Sequence, residues 1–401
     1  MRILFTPLAS TPHVNAMISL AWAARAAGHE VRFATQPPVR DAVLRAGLPV
    51  ALVGESHDLI TDIMAFLADN PESMRPGGRA GAISGAPQGR FGLPWIRSAQ
   101  ACAPGLVAFS EAWRPHLVVT DPMFYAGPLL ADVLGVPLVR HLWSPDWTKA
   151  GYSMGGFAEG QTRAEWPEEL LELYRSYGAR TETDTAACTI DPFPPGLQLP
   201  GLTGRVSVRG VAYNGTGEVP PWLSEPRSRP RVLVSRSTSN VPFLGAARTY
   251  LPTVLGALSD LDIEVVVPRE AADATNAPEF PANVRLIDQV PYDLLLPTCA
   301  AIVHHAGASS LLTSAGLGVP QVTIPMLADQ PANAALLAAT GAGIHLDFGA
   351  LDPAEIRAAV QKAVSDPQMR EAAAQLRAGA EQQMPLTRAV DLLADIARVP
   401  A

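Results

Sequence analysis

Residues 302 to 330, IVHHAGASSLLTSAGLGVPQVTIPMLADQ, hold the densest chemistry in the chain. The apolar run Ala300 to Val303 reads as a buried strand and the residues from Leu311 as a helix, with His304, His305, Gly307, Ser309 and Ser310 between them. A strand that passes into a helix through small residues presents unpaired backbone N–H groups and the positive end of a helix dipole, which suits a phosphate. Such a turn also occurs wherever an α/β protein needs a tight connection. Here it has company. His305 can donate to a phosphate oxygen, Ser309 and Ser310 add hydroxyl donors, and Asp329-Gln330 offers acceptors and donors to a hydroxylated ring. The set reads as a pyrophosphate at one end and a sugar at the other.

The elements that must position these groups repeat along the chain. The first strand is expected over Ile3 to Phe5, followed by a loop from Thr6 to Pro12, a helix from about Asn15 to Ala27 and a strand from Glu30 to Ala34, with Gly28 at the helix C-terminus. A related layout begins at Arg231 to Ser235, with a polar loop Arg236 to Val241, a helix carrying Leu251, Val254, Leu255 and Leu258, and a strand from Ile263 to Pro268. Two β-loop-α-β starts imply two doubly wound α/β domains, each with its ligand crevice at the carboxyl ends of the strands. His13 follows the first strand of one domain and the His305 loop follows a late strand of the other, so both are expected to open toward a crevice. Between the two layouts, Asp191 to Arg231 is rich in Pro and Gly and excludes long regular elements. The expected division is 1–213, a linker over 214–229, 230–385, and a C-terminal helix over 386–401 packing back on the first domain. Asn70 to Pro94, with Gly77, Gly78, Gly81, Gly85, Gly89 and Gly92, reads either as a mobile loop over a cleft or as a passive insertion.

Composition narrows the function classes. The chain has 401 residues, 48% of them hydrophobic and only 17% charged, enough for large buried sheets in two or three domains. A net charge of −8 argues against nucleic acid or an anionic membrane as partner, since both call for basic patches. No stretch reaches the roughly 18 apolar residues of a membrane span, and MRILFTPLAS lacks the layout of a signal peptide. Cys102, Cys188 and Cys299 have no metal-ligand spacing. A reduced, cytoplasmic protein without a metal is expected.

Several segments carry a family resemblance: PLASTPHVNAMISLAWAARAAGHEVRFATQP, RPHLVVTDPMFYAGPLLADVLGVP, TIDPFPPGLQL, VAYNGTGEVPPWL, LLPTCAAIVHHAGASS and GVPQVTIPMLADQ. Together they resemble bacterial antibiotic glycosyltransferases of the macrolide and enediyne type, family 1. The resemblance implies the GT-B fold, two Rossmann-like domains facing across a cleft. It also implies inverting transfer of a deoxysugar from a dTDP-sugar to a hydrophobic aglycone. His13 matches the family's general base and Asp121 its acidic partner. An acceptor hydroxyl is too weak an acid to ionise at neutral pH, so a neutral imidazole must take its proton as the C–O bond forms. Without the resemblance, His13 reads as a loop histidine with no role, and Asp121 as a turn residue before Pro122; the resemblance reverses the reading of His13. Ser237, Val290, His305, Gly307, Ser309, Ser310, Asp329 and Gln330 match donor-binding positions, and His304 reads as structural. Trp95, Trp143, Met154 and Phe157, with Trp147, Tyr152 and Trp166 nearby, fall in segments that border the acceptor, although each alone is as well read as core.

Two positions depart from the family pattern. Arg236 stands where relatives usually have glycine, leaving the Ser237 contact open; the arginine either binds phosphate or, as expected here, points to solvent. Gln289 stands where an aromatic residue often stacks on the nucleobase. The donor's leaving group needs no cofactor in this reading, because backbone donors and His305 can take the charge. A second copy of the chain or an activator protein stays open as a partner. Two alternatives also stay open: a non-catalytic nucleotide-sugar-binding auxiliary protein of the same fold, and a nucleotide-sugar epimerase.

Overall fold

The protein is described by a computed structural model over residues 1–69, 92–146, 166–181, 186–202, 204–236, 240–245, 249–270 and 280–398. Its contacts divide the chain into two units. The first comprises Met1–Pro192, Gln198–Arg209 and Met384–Ala401; the second comprises Phe193–Leu197 and Gly210–Gln383. The stretch expected as a linker, 214–229, thus groups with the second unit. Trp222 anchors it there, with the guanidinium carbons of Arg231 and Arg285 4.8 and 5.1 Å from its ring centroid.

Among the described residues the first unit is built on β1 (Arg2–Thr6), β2 (Glu30–Thr35), β3 (Val50–Leu52), β4 (Leu117–Thr120), β5 (Leu138–His141), β6 (Ala186–Asp191) and β7 (Arg205–Ser207). They form one sheet in the order β3-β2-β1-β4-β5-β6-β7, parallel throughout. β1 and β4 are buried along nearly their whole length, which is why they read as unbroken apolar runs without alternation. The Leu93–Trp113 and Ala126–Leu134 helices pack a core of Leu4, Val118, Trp95, Leu106, Leu129 and Tyr174 against this sheet.

The second unit carries β8 (Arg231–Val234), β9 (Glu264–Pro268), β10 (Val284–Ile287), β11 (Ala301–His304), β12 (Gln321–Thr323) and β13 (Gly343–His345). Their order is β10-β9-β8-β11-β12-β13, again all parallel. Val232, Val234, Val265 and Val303 face one core with the Leu251–Leu258 and Pro353–Ser365 helices. Leu233, Val266, Ile302 and Val290 face the other. This is the doubly wound α/β fold expected twice over.

Three local expectations need correction. The first helix runs from Thr11 to Ala26, so His13 stands in its first turn and not in a loop; Ser10 is the extended residue before it, and Pro12 falls where the first turn accepts proline. The helix after β11 begins at Ala308, three residues earlier than the apolar pattern marks, because Ser309 and Ser310 form its first turn. Of the expected loop at 70–94, residues 70–91 lie outside the described residues, and Gly92 to Pro94 open the Leu93–Trp113 helix. The segment from Met384 groups with the first unit: Val208 bridges Met384 in parallel, and the Leu386–Ile396 helix packs on the Thr11–Ala26 helix.

Candidate functional site

Each sheet reverses its strand order at one place, and the chemistry gathers there. In the first unit β1 lies beside β4, with Thr6 in register with Thr120. The two threonine hydroxyls are 2.9 Å apart, Thr6 donating. A Cβ on Gly127 would come within 2.0 Å of the Thr120 Oγ1, so the Ala126–Leu134 helix can approach β4 only through a glycine. The next residue after β4 is Asp121, 1% exposed. One of its oxygens accepts the Met123 N–H at 2.7 Å. The other lies 2.5 Å from His13 Nδ1. An ionised carboxylate on this side can only accept, so in the neutral imidazole Nδ1 carries the proton and Nε2 the lone pair. The Trp143 ring stacks on the imidazole, with centroids 4.0 Å apart and planes 26° from parallel. His13 therefore has one edge held by a carboxylate and one face covered by an indole.

His141, the last residue of β5, is buried beside this pair. Burial pulls its pKa down to about 4, partly opposed by its bond to the Leu142 carbonyl and by the Asp121 charge. It is neutral wherever the protein is folded near neutrality.

In the second unit β8 lies beside β11, and the loop after β11 carries His305, Ala306 and Gly307. The Ala308–Leu317 helix starts without a side-chain cap, so the N–H groups of its first turn have no helical partner and can serve an anion. His305 Nδ1 is buried without a hydrogen-bond partner, and burial, with the His304 ring next to it, lowers its pKa to about 3. A Cβ on Gly307 would sit 2.2 Å from His305 Nε2. Gly307 thus lies close against the His305 ring, which a side chain there would have to displace.

His304 is buried, as its structural reading anticipates. Its Nδ1 accepts the Ala306 N–H at 3.2 Å, and Nε2 lies 2.9 Å from Gln321 Oε1, which makes Nε2–H the donor. Burial lowers its pKa to about 4. Ala306 has φ 61°, and Ala328, one residue before Asp329, has φ 56°; each left-handed non-glycine residue costs about 1 kcal/mol. Asn333 Nδ2 donates to the Ala306 carbonyl at 3.1 Å and to Asp329 Oδ2 at 2.5 Å.

The remaining expected residues distribute as follows. Ser309 and Ser310 are half-buried in the first helical turn, and Asp329 is half-buried just before the Gln330–Ala339 helix. Gln330 is buried, and its side-chain amide is engaged within the fold: Nε2 donates to Asn240 Oδ1 at 2.9 Å, and Oε1 accepts from the Met326 N–H at 3.0 Å. Gln330 therefore ties its own loop to Asn240 at the end of the loop after β8. The Val290 side chain is core. Gln289, in place of the expected aromatic, reaches the Asn214 carbonyl at 3.4 Å. Arg236 is half-buried with its Nε away from water, against the expectation that it points to solvent. Trp95 is 5% exposed in the first core, and Trp166 packs edge-on against Tyr174 in the same core. Of the expected acceptor residues, Trp143 stands against His13. Ser237, Trp147, Tyr152, Met154 and Phe157 lie outside the described residues.

Sequence reasoning missed Asn333 and Asn240. The spacing of Asp329 and Asn333, four apart at a helix start, was a readable signal for the first; nothing local marks the second. Among the described residues no three His, Cys, Asp or Glu side chains gather as a metal site, and no helix is long and apolar enough to cross a membrane.

Comparison with known proteins agrees with this architecture. Residues 22–237 match the N-terminal domain, and residues 252–393 the C-terminal domain, described as erythromycin biosynthesis protein CIII-like. The chain is 36% identical over 405 residues to a 10-deoxymethynolide desosaminyltransferase of Streptomyces venezuelae, covering 94% of this chain and 92% of that protein. It is 35% identical to a tylactone mycaminosyltransferase of Streptomyces fradiae, covering 94% and 88%. Among solved structures it superposes on the glycosyltransferase VinC in complex with dTDP, with a TM-score of 0.81, 28% identity and 99% of both chains covered. The spinosyn rhamnosyltransferase SpnG complexed with spinosyn aglycone gives 0.80, at 27% identity over 98% of this chain and all of that one. With both halves matched and relatives this similar over nearly the whole length, the chain belongs to the erythromycin biosynthesis protein CIII-like family and is a glycosyltransferase of the GT-B fold.

Proposed function

We propose that this glycosyltransferase moves a deoxysugar from a dTDP-sugar to a hydroxyl of a hydrophobic natural-product aglycone in antibiotic biosynthesis, with inversion at the anomeric carbon. The observation that carries the reading is the His13–Asp121 pair: a buried carboxylate 2.5 Å from Nδ1 leaves Nε2 free to accept a proton. The names of the desosaminyl, mycaminosyl and rhamnosyl transferases similar to this chain support the donor class.

In this mechanism Nε2 of His13 takes the acceptor proton while the acceptor oxygen bonds to the anomeric carbon from the face opposite the diphosphate. The bond between that carbon and the β-phosphate oxygen breaks in the same displacement, and the electron pair leaves with dTDP. Asp121 stabilises the imidazolium that forms. Charge growing on the β-phosphate is met by the first-turn N–H groups of the Ala308–Leu317 helix and by His305, whose Nδ1 has no partner in the fold. Donors already aimed at developing charge stabilise the transition state more than the ground state. Asp329 is the acceptor for sugar hydroxyls. No metal is assigned to the reaction, and the setting is cytoplasmic. A second copy of the chain or an activator protein is part of the proposal only as a partner of the complete enzyme.

The test is calorimetric binding of dTDP to wild type, His13→Ala and His305→Ala, with turnover of a dTDP-deoxysugar panel on macrolactone aglycones in the presence of EDTA. His13→Ala should keep dTDP affinity and lose about 10² to 10⁴ in turnover; His305→Ala should weaken dTDP binding. Binding without turnover by wild type would favour the auxiliary-protein reading, and an epimerised dTDP-sugar the epimerase. Turnover abolished by EDTA would remove the metal-free mechanism.

A further inference from the structure

Two histidines and a glycine form the loop that the donor reading assigns to the diphosphate, and Asp329 stands in a different loop, after β12. A buried amide joins the two loops, beside the backbone bond from the Ile324 N–H to the His304 carbonyl. Asn333 is fully buried, and its Nδ2 carries two protons. One goes to the carbonyl of Ala306, the residue between His305 and Gly307, and the other to the carboxylate of Asp329. Ala306 is tied from its other side as well, since its N–H is held by His304, which is held by Gln321. Both loops contain an alanine in the left-handed region, Ala306 and Ala328, a conformation that persists only where its surroundings over-determine it.

We propose that Asn333 is a positioning residue for the donor: it sets the diphosphate loop and the sugar-binding carboxylate at a fixed separation, so that the two ends of a nucleotide sugar are received together. This rests on the donor reading above. Asn333 touches no substrate itself; it acts through Ala306 on the diphosphate and through Asp329 on the sugar. The amide is suited to this role because both of its protons are donors, whereas a carboxylate there would face Asp329 with like charge.

The experiment compares wild type, Asn333→Leu and Asn333→Asp by calorimetric binding of dTDP and of dTDP-glucose, with thermal melting as a control for folding. In Asn333→Leu both donors are gone, and dTDP-glucose affinity should fall about tenfold or more, the loss of a hydrogen bond to a charged group. In Asn333→Asp the two carboxylates share a proton at low pH and repel at high pH. The deficit in dTDP-glucose affinity relative to wild type should therefore shrink as pH falls from 8 to 5, a response that a purely structural role does not produce. Folded variants that bind both ligands as wild type does would overturn the proposal, as would a deficit in Asn333→Asp that ignores pH. Absence of dTDP binding by wild type would instead remove the donor reading, and this inference with it.

Discussion

At the scale of single residues, the proposed base His13 is defined by what surrounds it more than by its own type. Asp121 restrains His13 by one edge, and Trp143 covers one face. An aromatic stack of this kind contributes about 0.5–1.5 kcal/mol beyond burial. Trp143→Leu should accordingly lower kcat by about two- to tenfold with dTDP affinity unchanged, while Trp143→Phe, which keeps a ring, should recover most of it. Steady-state kinetics on both variants checks this, and equal rates for Leu and Phe would mean that the stack does not steady the base. The residue types of this site were legible in the sequence: a histidine early in the chain, an aspartate ending an apolar run, a tryptophan soon after the next strand. Their meeting was not, because 108 positions separate His13 from Asp121 and no local pattern states which strands will be neighbours. Gln330 shows the same limit: its type fits a sugar contact, and only the fold shows its amide holding Asn240 and the Met326 backbone.

At the scale of elements, both sites follow from the same topological fact. β1 beside β4 and β8 beside β11 are the places where the strand order turns back, and loops diverge there to leave room for a ligand. A further element supports the first site from outside its own stretch of sequence. The Leu386–Ile396 helix buries Ala389, Val390 and Leu393 and packs on the helix whose first turn holds His13. Leu393 is fully buried, so Leu393→Ala should cost about 2–5 kcal/mol. Urea denaturation measures the loss, and dTDP binding by the folded variant should be unchanged because the donor loop belongs to the second unit. Equal weakening of dTDP binding would show that the C-terminal helix also serves the donor side. Strand positions were readable from apolar runs such as Leu117 to Thr120, and helix starts less so. Ser309, Ser310 and Pro12 look like loop residues in a string of letters, but the first turn of a helix accepts them all.

At the scale of the whole molecule, buried neutral histidines tie stability to pH. His141 and His304 are both held at about 4 by burial, below their ordinary value near 6.5. The folded form stays neutral while the unfolded chain takes up protons below pH 6.5, so this stability is complete above that pH and is lost as pH falls toward 4. Each histidine contributes a slope of about 1.4 kcal/mol per pH unit within the window. Denaturation at a series of pH values between 6.5 and 5 should therefore show falling stability, and His304→Gln should flatten the slope. An unchanged slope in that variant would mean His304 titrates normally in the fold.

The amino-acid sequence by itself determined the class of the protein. Apolar runs marked buried parallel strands, small and hydroxyl residues marked an uncapped helix start, and the motifs spread along the chain marked a family, because all of these are local or linear properties. The tertiary structure alone decided which of those residues work together. It placed Asp121 and Trp143 against His13, set Gly307 against the His305 ring, and joined Ala306 to Asp329 through Asn333. Contacts of that kind depend on strand order and side-chain direction, and neither is written in the periodicity of any one segment.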